Sequence, residues 1–287
     1  MAGMRSAAVR AYFRTPKGGL VLVLLALLAI AYPVDGRAAL LRVVLGASVA
    51  MAGDLLLMRF RGKWELPDSA FLTGVIVAMV MSQRAPWYAI VAATALAIVS
   101  KHLLRTKHGH IFNPAAVGLL LTALFLSSEQ SWWGGLGDTA PLLIVFVIAG
   151  GAIIAERTNK WASVLAFGAT YFGLLTALSL AGSGAGVADA FREPMSGAAL
   201  FFAFFMLTDP PTSPARPRDQ VWFAMLVAGG SVACLALAPG AVYYLLAGLL
   251  LGNAVEGARR AIGSRKRRPA PAPARPAQPA YRSIALG

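Results

Sequence analysis

The sequence contains few charged residues and a single cysteine. Only 13% of its 287 residues are Asp, Glu, Lys or Arg and 58% are hydrophobic, whereas soluble domains average roughly 25% charged and about 45–50% apolar residues. Cys234 has no cysteine to pair with in the chain. No Cys or His cluster has metal-ligand spacing, which argues against a structural zinc or iron–sulfur site. The composition predicts a membrane protein.

The net charge of +14 is compatible with nucleic-acid binding, but the positions of the basic residues argue against it. Lys and Arg crowd the two ends and the short loops between apolar runs, as membrane-anchoring charges do. We therefore expect the lipid bilayer as a partner, and no nucleic acid.

Ten apolar segments approach the length that crosses a membrane. A hydrocarbon core of about 30 Å needs about 20 apolar residues in a helix, and a helix satisfies its own backbone in lipid. The segments lie at about 19–33, 38–58, 68–83, 86–104, 111–127, 139–154, 162–182, 195–208, 220–238 and 240–258. We predict an all-α polytopic membrane helix bundle of about ten transmembrane helices, whose short members are tilted, broken or shielded by neighbours.

The charge distribution predicts the topology. If the N-terminus is cytoplasmic and the loops alternate, the cytoplasmic segments contain 22 of the 26 Lys and Arg residues. The opposite face keeps Arg37, Arg84 and Arg192, and Arg42 lies in a span. The positive-inside rule then places both termini in the cytoplasm of a multi-pass protein of the inner (plasma) membrane.

Three regions follow: a basic cytoplasmic N-terminus at 1–18, a transmembrane domain at 19–258 and a tail at 259–287. The basic, Pro/Ala-rich tail cannot build a core, so we expect it to be disordered. The first span also resembles a signal peptide. Because the charge alternation requires this span, we expect it to be retained.

Two segments share a pattern at opposite membrane faces. "PDSAFLTG" begins the third span and "GDTAPLL" the sixth, each with Asp, then Ser or Thr, then Ala before an apolar run. Inverted repeats produce such pairs, and so does helix capping alone. We predict inverted repeats, in which Asp68 and Asp138 start corresponding helices.

Polar and small residues mark two helix starts. Asp68 can cap the third span, and Thr73-Gly74, one turn deeper, offers a hydroxyl beside a backbone that a planar ligand can approach closely. Asn113, before a proline, is a favourable helix start. Gly118 belongs to a flat face for another helix or a ring system.

The eighth span stops in "FFMLTDPPTSPARP", residues 204–217, where the prolines cannot continue a helix. Thr208 and Asp209 at this stop lie on the same predicted face as Asp68 and Asn113. Three polar helix ends can therefore meet there and form the wall of a site.

Asp54 lies near the cytoplasmic end of the second span. A carboxylate there is costly unless it is paired, so Asp54 is a functional candidate or half of a structural ion pair, with Arg59 or Lys101 as partner. The histidines at 102, 108 and 110 cluster at this face, and we expect a wet basic rim without a metal.

A tryptophan pair lies on the far face. Trp132 and Trp133 are typical of an interfacial belt. The Gly-rich turn that follows, ending at Asp138, exposes N–H groups that could hold an anion.

Taken together and in order, these segments resemble the RnfD/NqrB family, which includes the D subunit of the Rnf electron-transport complex and the B subunit of the sodium-pumping NADH:quinone reductase. The resemblance covers roughly residues 40–258. It rests on "DSAFLTGVIVAMVMSQRAPW" (68–87), "SKHLLRTKHGHIFNPAAVG" (100–118), "GLGDTAPLL" (135–143) and "MSGAALFFAFFMLTDPPTSP" (195–214), with "LLGNAV" (250–255) as a fainter match.

The resemblance implies a ten-helix inverted-repeat protein that carries flavin and passes electrons within a multi-subunit assembly. Relatives hold FMN covalently on the threonine of a Ser-Gly-Ala-Thr motif, and some hold riboflavin noncovalently. This sequence has no such motif; "FGAT", ending at Thr170, lies within an apolar span. The basic "RTKHGH" replaces a Gly-rich turn, as in a stand-alone subgroup that includes a member found with enediyne biosynthesis genes.

Three functions follow as hypotheses. The first is a redox protein that holds FMN or riboflavin noncovalently, with the other subunits of a complex and a quinone as partners. Its predicted contacts are Thr73, Gly74, Asn113, Gly118, Thr208 and Asp209, none of them catalytic. The second is a small-solute or flavin permease, and the third is a scaffold for partner redox proteins.

Overall fold

A computed structural model describes residues 10–62, 64–106, 109–136, 144–182, 195–238 and 240–266. Every predicted span contains a helix, which confirms the all-α membrane bundle. The helices are α1 Pro16–Pro33, α2 Gly36–Phe60, α3 Asp68–Val80, α4 Trp87–Leu103, α5 Pro114–Leu126, α6 Ile144–Thr158, α7 Trp161–Leu180, α8 Met195–Phe201, α9 Pro217–Leu237 and α10 Tyr244–Lys266. A short antiparallel pair, β1 Arg105–Thr106 and β2 Gly109–His110, joins α4 to α5.

The break between α1 and α2 occurs at Gly36. This residue has φ 64° and ψ −152° inside an otherwise continuous helical stretch, three residues after Pro33. Glycine reaches this backbone region without the steric cost that a Cβ would impose. The break separates the two spans where the sequence predicts a loop.

The helices differ in length, and the short helix α3 lies inside the bundle. By length and composition α1, α2, α7 and α9 can cross a membrane, whereas α3 and α5 have 13 residues each, or about 20 Å of helix. Nearly every residue of α3 is buried. The prediction that neighbours shield the short segments is therefore confirmed for α3.

Extended backbone continues from the C-terminal ends of α3 and α5. Met81 forms an isolated antiparallel bridge with Gln130, and the Ser82 N–H donates to the Glu129 carbonyl at 2.9 Å. Irregular backbone needs hydrogen-bond partners wherever water does not reach it, and these two segments supply them to each other.

Trp132 and Trp133 lie in the segment that follows α5. They are buried inside the protein, so the interfacial-belt interpretation is wrong. Both are buried, and Trp133 Nε1 donates to the Ala78 carbonyl at 2.8 Å near the end of α3. Trp132 packs edge-on against Phe201 and Phe202. The chain turns inward here, and a local tryptophan pair cannot reveal that.

Consecutive helices run in opposite directions, as the alternating charges predict. We call the end where α1, α3 and α5 begin and α2, α4 and α6 end the basic end. There, Lys17 pairs with Asp68 at 3.1 Å and Arg157 donates to the Phe13 carbonyl at 3.0 Å. At the other end Arg42 donates to the Ala85 carbonyl at 2.7 Å.

Glycines bring two helix pairs into close contact. A Cβ on Gly74 of α3 would clash with the Gly46 carbonyl of α2, and one on Gly118 of α5 would clash with the Ala93 carbonyl of α4. At Gly74 a neighbouring helix makes the close approach that was expected for a planar ligand. At Gly118 the neighbour is another helix, which is one of the two predicted alternatives. Packing of this kind is typical of membrane bundles.

The last helix extends beyond its predicted end. Residues 259–266, expected to begin the tail, continue α10. Glu256 accepts from both Arg259 and Arg260 one turn later, at 2.7 Å in each case, and such pairs favour helix. Residues 267–287 lie outside the described part, as does the Asp138 segment, so the inverted repeats stay a prediction.

Candidate functional site

A cavity of about 580 Å³ opens at the basic end of the bundle. It receives residues from α1, α3, α4, β2, α5, α6 and the segment that follows α8. Its wall is mainly apolar, with Leu20, Leu72, Ile76 and Phe205 among the contributors. The polar lining residues include Lys17, Asp68, Ser69, Thr73, Lys101, His110, Asn113, Thr208 and Asp209.

The first turns of α3 form one side of this cavity. Asp68 lies one residue inside the helix rather than at its cap, and its Oδ1 accepts from the Ser69 N–H at 2.6 Å. Thr73, one turn deeper, donates its hydroxyl to the Ser69 carbonyl at 2.9 Å. The Thr73 oxygen therefore keeps its lone pairs available toward the cavity.

The start of α5 forms a second side and is fixed by an amide network. Asn113 caps the helix as predicted, since its Oδ1 accepts from the Ala116 N–H at 3.1 Å, and its Nδ2 donates to the Met206 carbonyl at 3.3 Å. The backbone N–H of Asn113 donates to Oδ1 of Asn253 at 2.9 Å, and Asn253 Nδ2 donates to the Thr212 carbonyl at 3.2 Å.

The end of α8 forms the third side. The helix widens into a π-helix over Phe202–Met206, a feature frequent at functional sites. The Thr208 hydroxyl donates to the Phe204 carbonyl, while Asp209 Oδ2 accepts from the Thr212 hydroxyl at 2.9 Å. The three polar helix ends that the sequence predicts to meet therefore do line one cavity.

A buried lysine and a half-buried arginine hold the proline-rich segment after Asp209. Lys160 Nζ donates to the carbonyls of Ser213 and Pro214, and Arg260 donates to those of Pro211 and Ser213. Prolines leave these carbonyls without helical partners, so side chains supply them. The segment is thereby fixed as the rim of the cavity.

The pKa of Lys160 reflects this environment. Burial, reinforced by the positive charge of Arg260, lowers the pKa from 10.5 to about 8. The carboxylates of Asp209 and Glu256 act in the opposite direction and offset part of that effect. Lys160 is 3% exposed, so desolvation outweighs the carboxylates.

The β-pair brings a histidine to the cavity. His110, at the end of β2, places Nε2 3.5 Å from Asp209 Oδ2. Both residues line the cavity. The "RTKHGH" segment thus contributes a titratable side chain beside the Asp209 carboxylate.

Asp54 belongs to a separate buried cluster next to this cavity. Lys101 Nζ lies 3.0 and 3.1 Å from its two carboxylate oxygens, and His102 Nε2 lies 2.6 Å from Oδ1. Lys101 is therefore the partner, whereas the alternative, Arg59, is exposed. Asp54 itself does not line the large cavity.

Apart from Asp54, the predicted residues fall into three groups. Thr73, Asn113, Thr208, Asp209 and Asp68 line the cavity. Gly74 and Gly118 pack helices against each other, and Asp138 lies outside the described residues.

Sequence reasoning missed Asn253, Lys160 and Arg260. Asn253 is fully buried in α10, and its lone amide within an apolar span is the signal that could have identified it. The roles of Lys160 and Arg260 as carbonyl donors depend on the folded path of the proline-rich segment.

The helices define a polytopic helical membrane protein with an amphipathic cavity at one end of its bundle. The sequence matches the NQR2, RnfD, RnfE family over residues 17–142 and 123–255. These two matches cover most of the chain, and the protein belongs to this family.

Curated relatives are similar over a shorter segment. The D subunit of the ion-translocating oxidoreductase complex of Aeromonas hydrophila is 30% identical over 103 residues, 34% of this chain and 29% of that protein. The corresponding protein of Haemophilus influenzae strain Rd, which has the same name, is 33% identical over 98 residues, 34% of this chain and 25% of that protein. The match thus spans less than a third of these relatives' length.

Proposed function

We propose that this chain is an electron-transfer protein that binds a flavin noncovalently in the large cavity and works within an ion-translocating oxidoreductase assembly of the inner membrane. Membership of the NQR2, RnfD, RnfE family supports the role. The observation that carries the cofactor assignment is the amphipathic cavity of about 580 Å³, since ligand pockets usually measure about 300–1,000 Å³ and combine apolar walls with few polar groups.

The lining residues fit an isoalloxazine ring. Leu20, Ile76 and Phe205 offer apolar surface to the dimethylbenzene portion. Asp209 offers carboxylate oxygens to the imide N–H of the pyrimidine portion, and the Thr73 oxygen keeps lone pairs for a second donor. Noncovalent binding agrees with the absence of the Ser-Gly-Ala-Thr motif from the sequence.

Charge favours riboflavin over FMN. Among the described residues, the two lysines that line the cavity are each paired with a carboxylate, Lys17 with Asp68 and Lys101 with Asp54. Asp68 and Asp209 also face the cavity and would repel a phosphate. The neutral ribityl chain of riboflavin needs no free lysine and is not repelled by these carboxylates.

When bound, the flavin supplies reversible electron transfer. The protein's residues position the ring and exclude water. The Asn113–Asn253 network fixes the start of α5, and Lys160 and Arg260 fix the proline-rich rim of the cavity. Asp209 and His110 set the charge beside the polar edge of the flavin ring. Other subunits of the assembly, and a quinone as acceptor, complete the proposed pathway.

A permease is the second candidate because α3 and α5, at about 20 Å each, are too short to cross the membrane alone. Short, broken helices line the substrate sites of many carriers. Uptake of riboflavin into proteoliposomes without a reductant would favour this second function.

The visible spectrum of the detergent-purified chain tests the proposal. We expect flavin absorbance, or its appearance after incubation with riboflavin, and release of that flavin on acid precipitation. Flavin that stays with the precipitate contradicts noncovalent binding. A colourless protein that takes up neither riboflavin nor FMN overturns the cofactor assignment and favours a scaffold.

A further inference from the structure

A second, smaller chamber of about 160 Å³ adjoins the large cavity at the basic end. Five residues line both spaces: Lys17, Asp68, Ser69, Lys101 and His110. The chamber also contacts Asp54 and His102. A polar, shared wall of this kind can hold water that connects the two spaces.

The smaller chamber contains a compact buried cluster. Asp54 is 2% exposed and His102 is 5% exposed. Lys101 Nζ reaches both oxygens of Asp54 and also the Ser69 hydroxyl, at 2.8 Å. His102 Nε2 lies 2.6 Å from Asp54 Oδ1. Within the described residues, His102 Nδ1 is buried without a hydrogen-bond partner.

This geometry leaves one ring nitrogen of His102 without a hydrogen-bond partner. In the neutral tautomer that donates Nε2–H to Asp54, Nδ1 of His102 carries a free lone pair. Lys101 already balances the charge of Asp54, so protonation of His102 adds a second cation beside one carboxylate. A further negative charge that arrives nearby would attract and stabilise that added positive charge.

We infer that the Asp54–Lys101–His102 cluster is a proton-binding site that takes up one proton when electrons enter the ligand of the large cavity. The inference rests on the proposed function, because it needs a reducible ligand there. Lys101, which lines both spaces, links the cluster to the charge of that ligand. The cluster would thus couple electron transfer to proton uptake from the basic end.

In this step the protein chain forms one new N–H bond, and none of its other covalent bonds changes. A reduced carrier of the partner assembly, or a chemical reductant in vitro, gives up the electrons. The proton comes from solvent at the basic end, and that N–H bond forms at His102 Nδ1. Oxidation of the cavity ligand reverses both transfers.

Other charged groups face the cluster, and the test must separate them from it. Arg61, at the end of α2, donates to the His102 carbonyl at 2.7 Å. Further charged or titratable residues of the smaller chamber come from α1, the loop before α3, α3, β1 and β2: Lys17, Glu65, Asp68, Arg105 and His110. Glu65 lies outside the cluster and is exposed, which makes it a suitable control.

The test is the pH dependence of the midpoint potential of the bound flavin, measured by spectroelectrochemistry in detergent. The slope of potential against pH counts the protons taken up with each electron pair. We compare the wild-type chain with His102→Gln, which keeps an N–H donor toward Asp54 but cannot be protonated, and with Glu65→Gln. Asp54→Asn is the second cluster variant.

We expect His102→Gln and Asp54→Asn to take up fewer protons per electron pair, by up to one, while Glu65→Gln matches the wild type. A purely structural ion pair alters stability and leaves the slope unchanged. Equal slopes in flavin-loaded wild-type and His102→Gln protein overturn the inference and leave the proposed function intact. A wild-type chain that binds no flavin overturns both.

Discussion

The backbone N–H of Asn113 donates to the side-chain oxygen of Asn253 at 2.9 Å, although 140 residues separate them. Both residues are buried, and Asn253 also donates to the Thr212 carbonyl. One amide thus joins the start of α5, the middle of α10 and the segment after α8. These are the elements that hold the rim of the cavity.

Substitution of Asn253 tests this connection. Asn253→Leu leaves the Asn113 N–H and the Thr212 carbonyl buried without partners, each of which costs about 1–3 kcal/mol. We expect a lower melting temperature in detergent, measured by intrinsic tryptophan fluorescence. Val255→Ala, on the exposed face of the same helix, should change little. Equal melting temperatures for both variants would show that the amide is not needed.

Gly118 tests the packing between α4 and α5. The Cβ of Gly118→Ala would clash with the Ala93 carbonyl, so we expect α5 to shift and the protein to lose thermal stability. Gly168→Ala on α7 is the control because its Cβ meets open space, and alanine favours a helix by roughly 0.5–1 kcal/mol over glycine. A stable Gly118→Ala protein would contradict the close packing.

Asp209 tests the polar edge of the cavity. Asp209→Asn keeps an oxygen for the Thr212 hydroxyl but loses the charge, and hydrogen bonds to charged groups contribute about 1.5–3 kcal/mol. We expect riboflavin affinity, measured by fluorescence quenching, to fall about tenfold or more, since about 1.4 kcal/mol corresponds to tenfold. Asp219→Asn, in a pair with Arg259 away from the cavity, should bind normally. Equal affinities would exclude Asp209 as a contact.

Lys160 predicts a pH dependence of stability. Its pKa is about 8 in the folded chain against 10.5 in the unfolded chain, so the unfolded state binds more protons between these values. Stability from this group therefore rises with pH across that window. The burial cost present below about pH 8, up to about 3 kcal/mol, disappears by about pH 10.5.

The comparison with Lys160→Met isolates this group because other titrations cancel in the difference. We expect the melting temperature of the wild type to rise relative to Lys160→Met between about pH 8 and 10.5. Parallel curves over that range would show that Lys160 keeps an ordinary pKa.

The sequence predicts the helices and their alternation well because the apolar length and the placement of Lys and Arg are local properties. It also predicts the meeting of Asp68, Asn113 and Asp209, since helix ends on the same membrane face are close neighbours in a small bundle. The same reasoning about neighbouring helix ends named Lys101 as one of two candidate partners of Asp54, and Lys101 is the partner in the structure.

What the sequence could not predict depends on how the chain folds back on itself. Trp132 and Trp133 carry no local signal of the inward turn that buries them. Gly74 and Gly118 look alike as sites for a ligand or for a helix, and only the packing distinguishes these uses. Asn253 and Lys160 act on backbone carbonyls whose positions arise from the proline-rich segment.

The most direct measurement of the central claim is the flavin content of cavity variants after incubation with riboflavin and desalting. Leu20→Trp fills the cavity from α1, whereas Leu22→Trp, two residues along the same helix, lies on a surface that is 47% exposed. We predict close to one flavin per chain in the wild type and Leu22→Trp, and at least tenfold less in Leu20→Trp. Equal flavin content in all three proteins would contradict binding in this cavity.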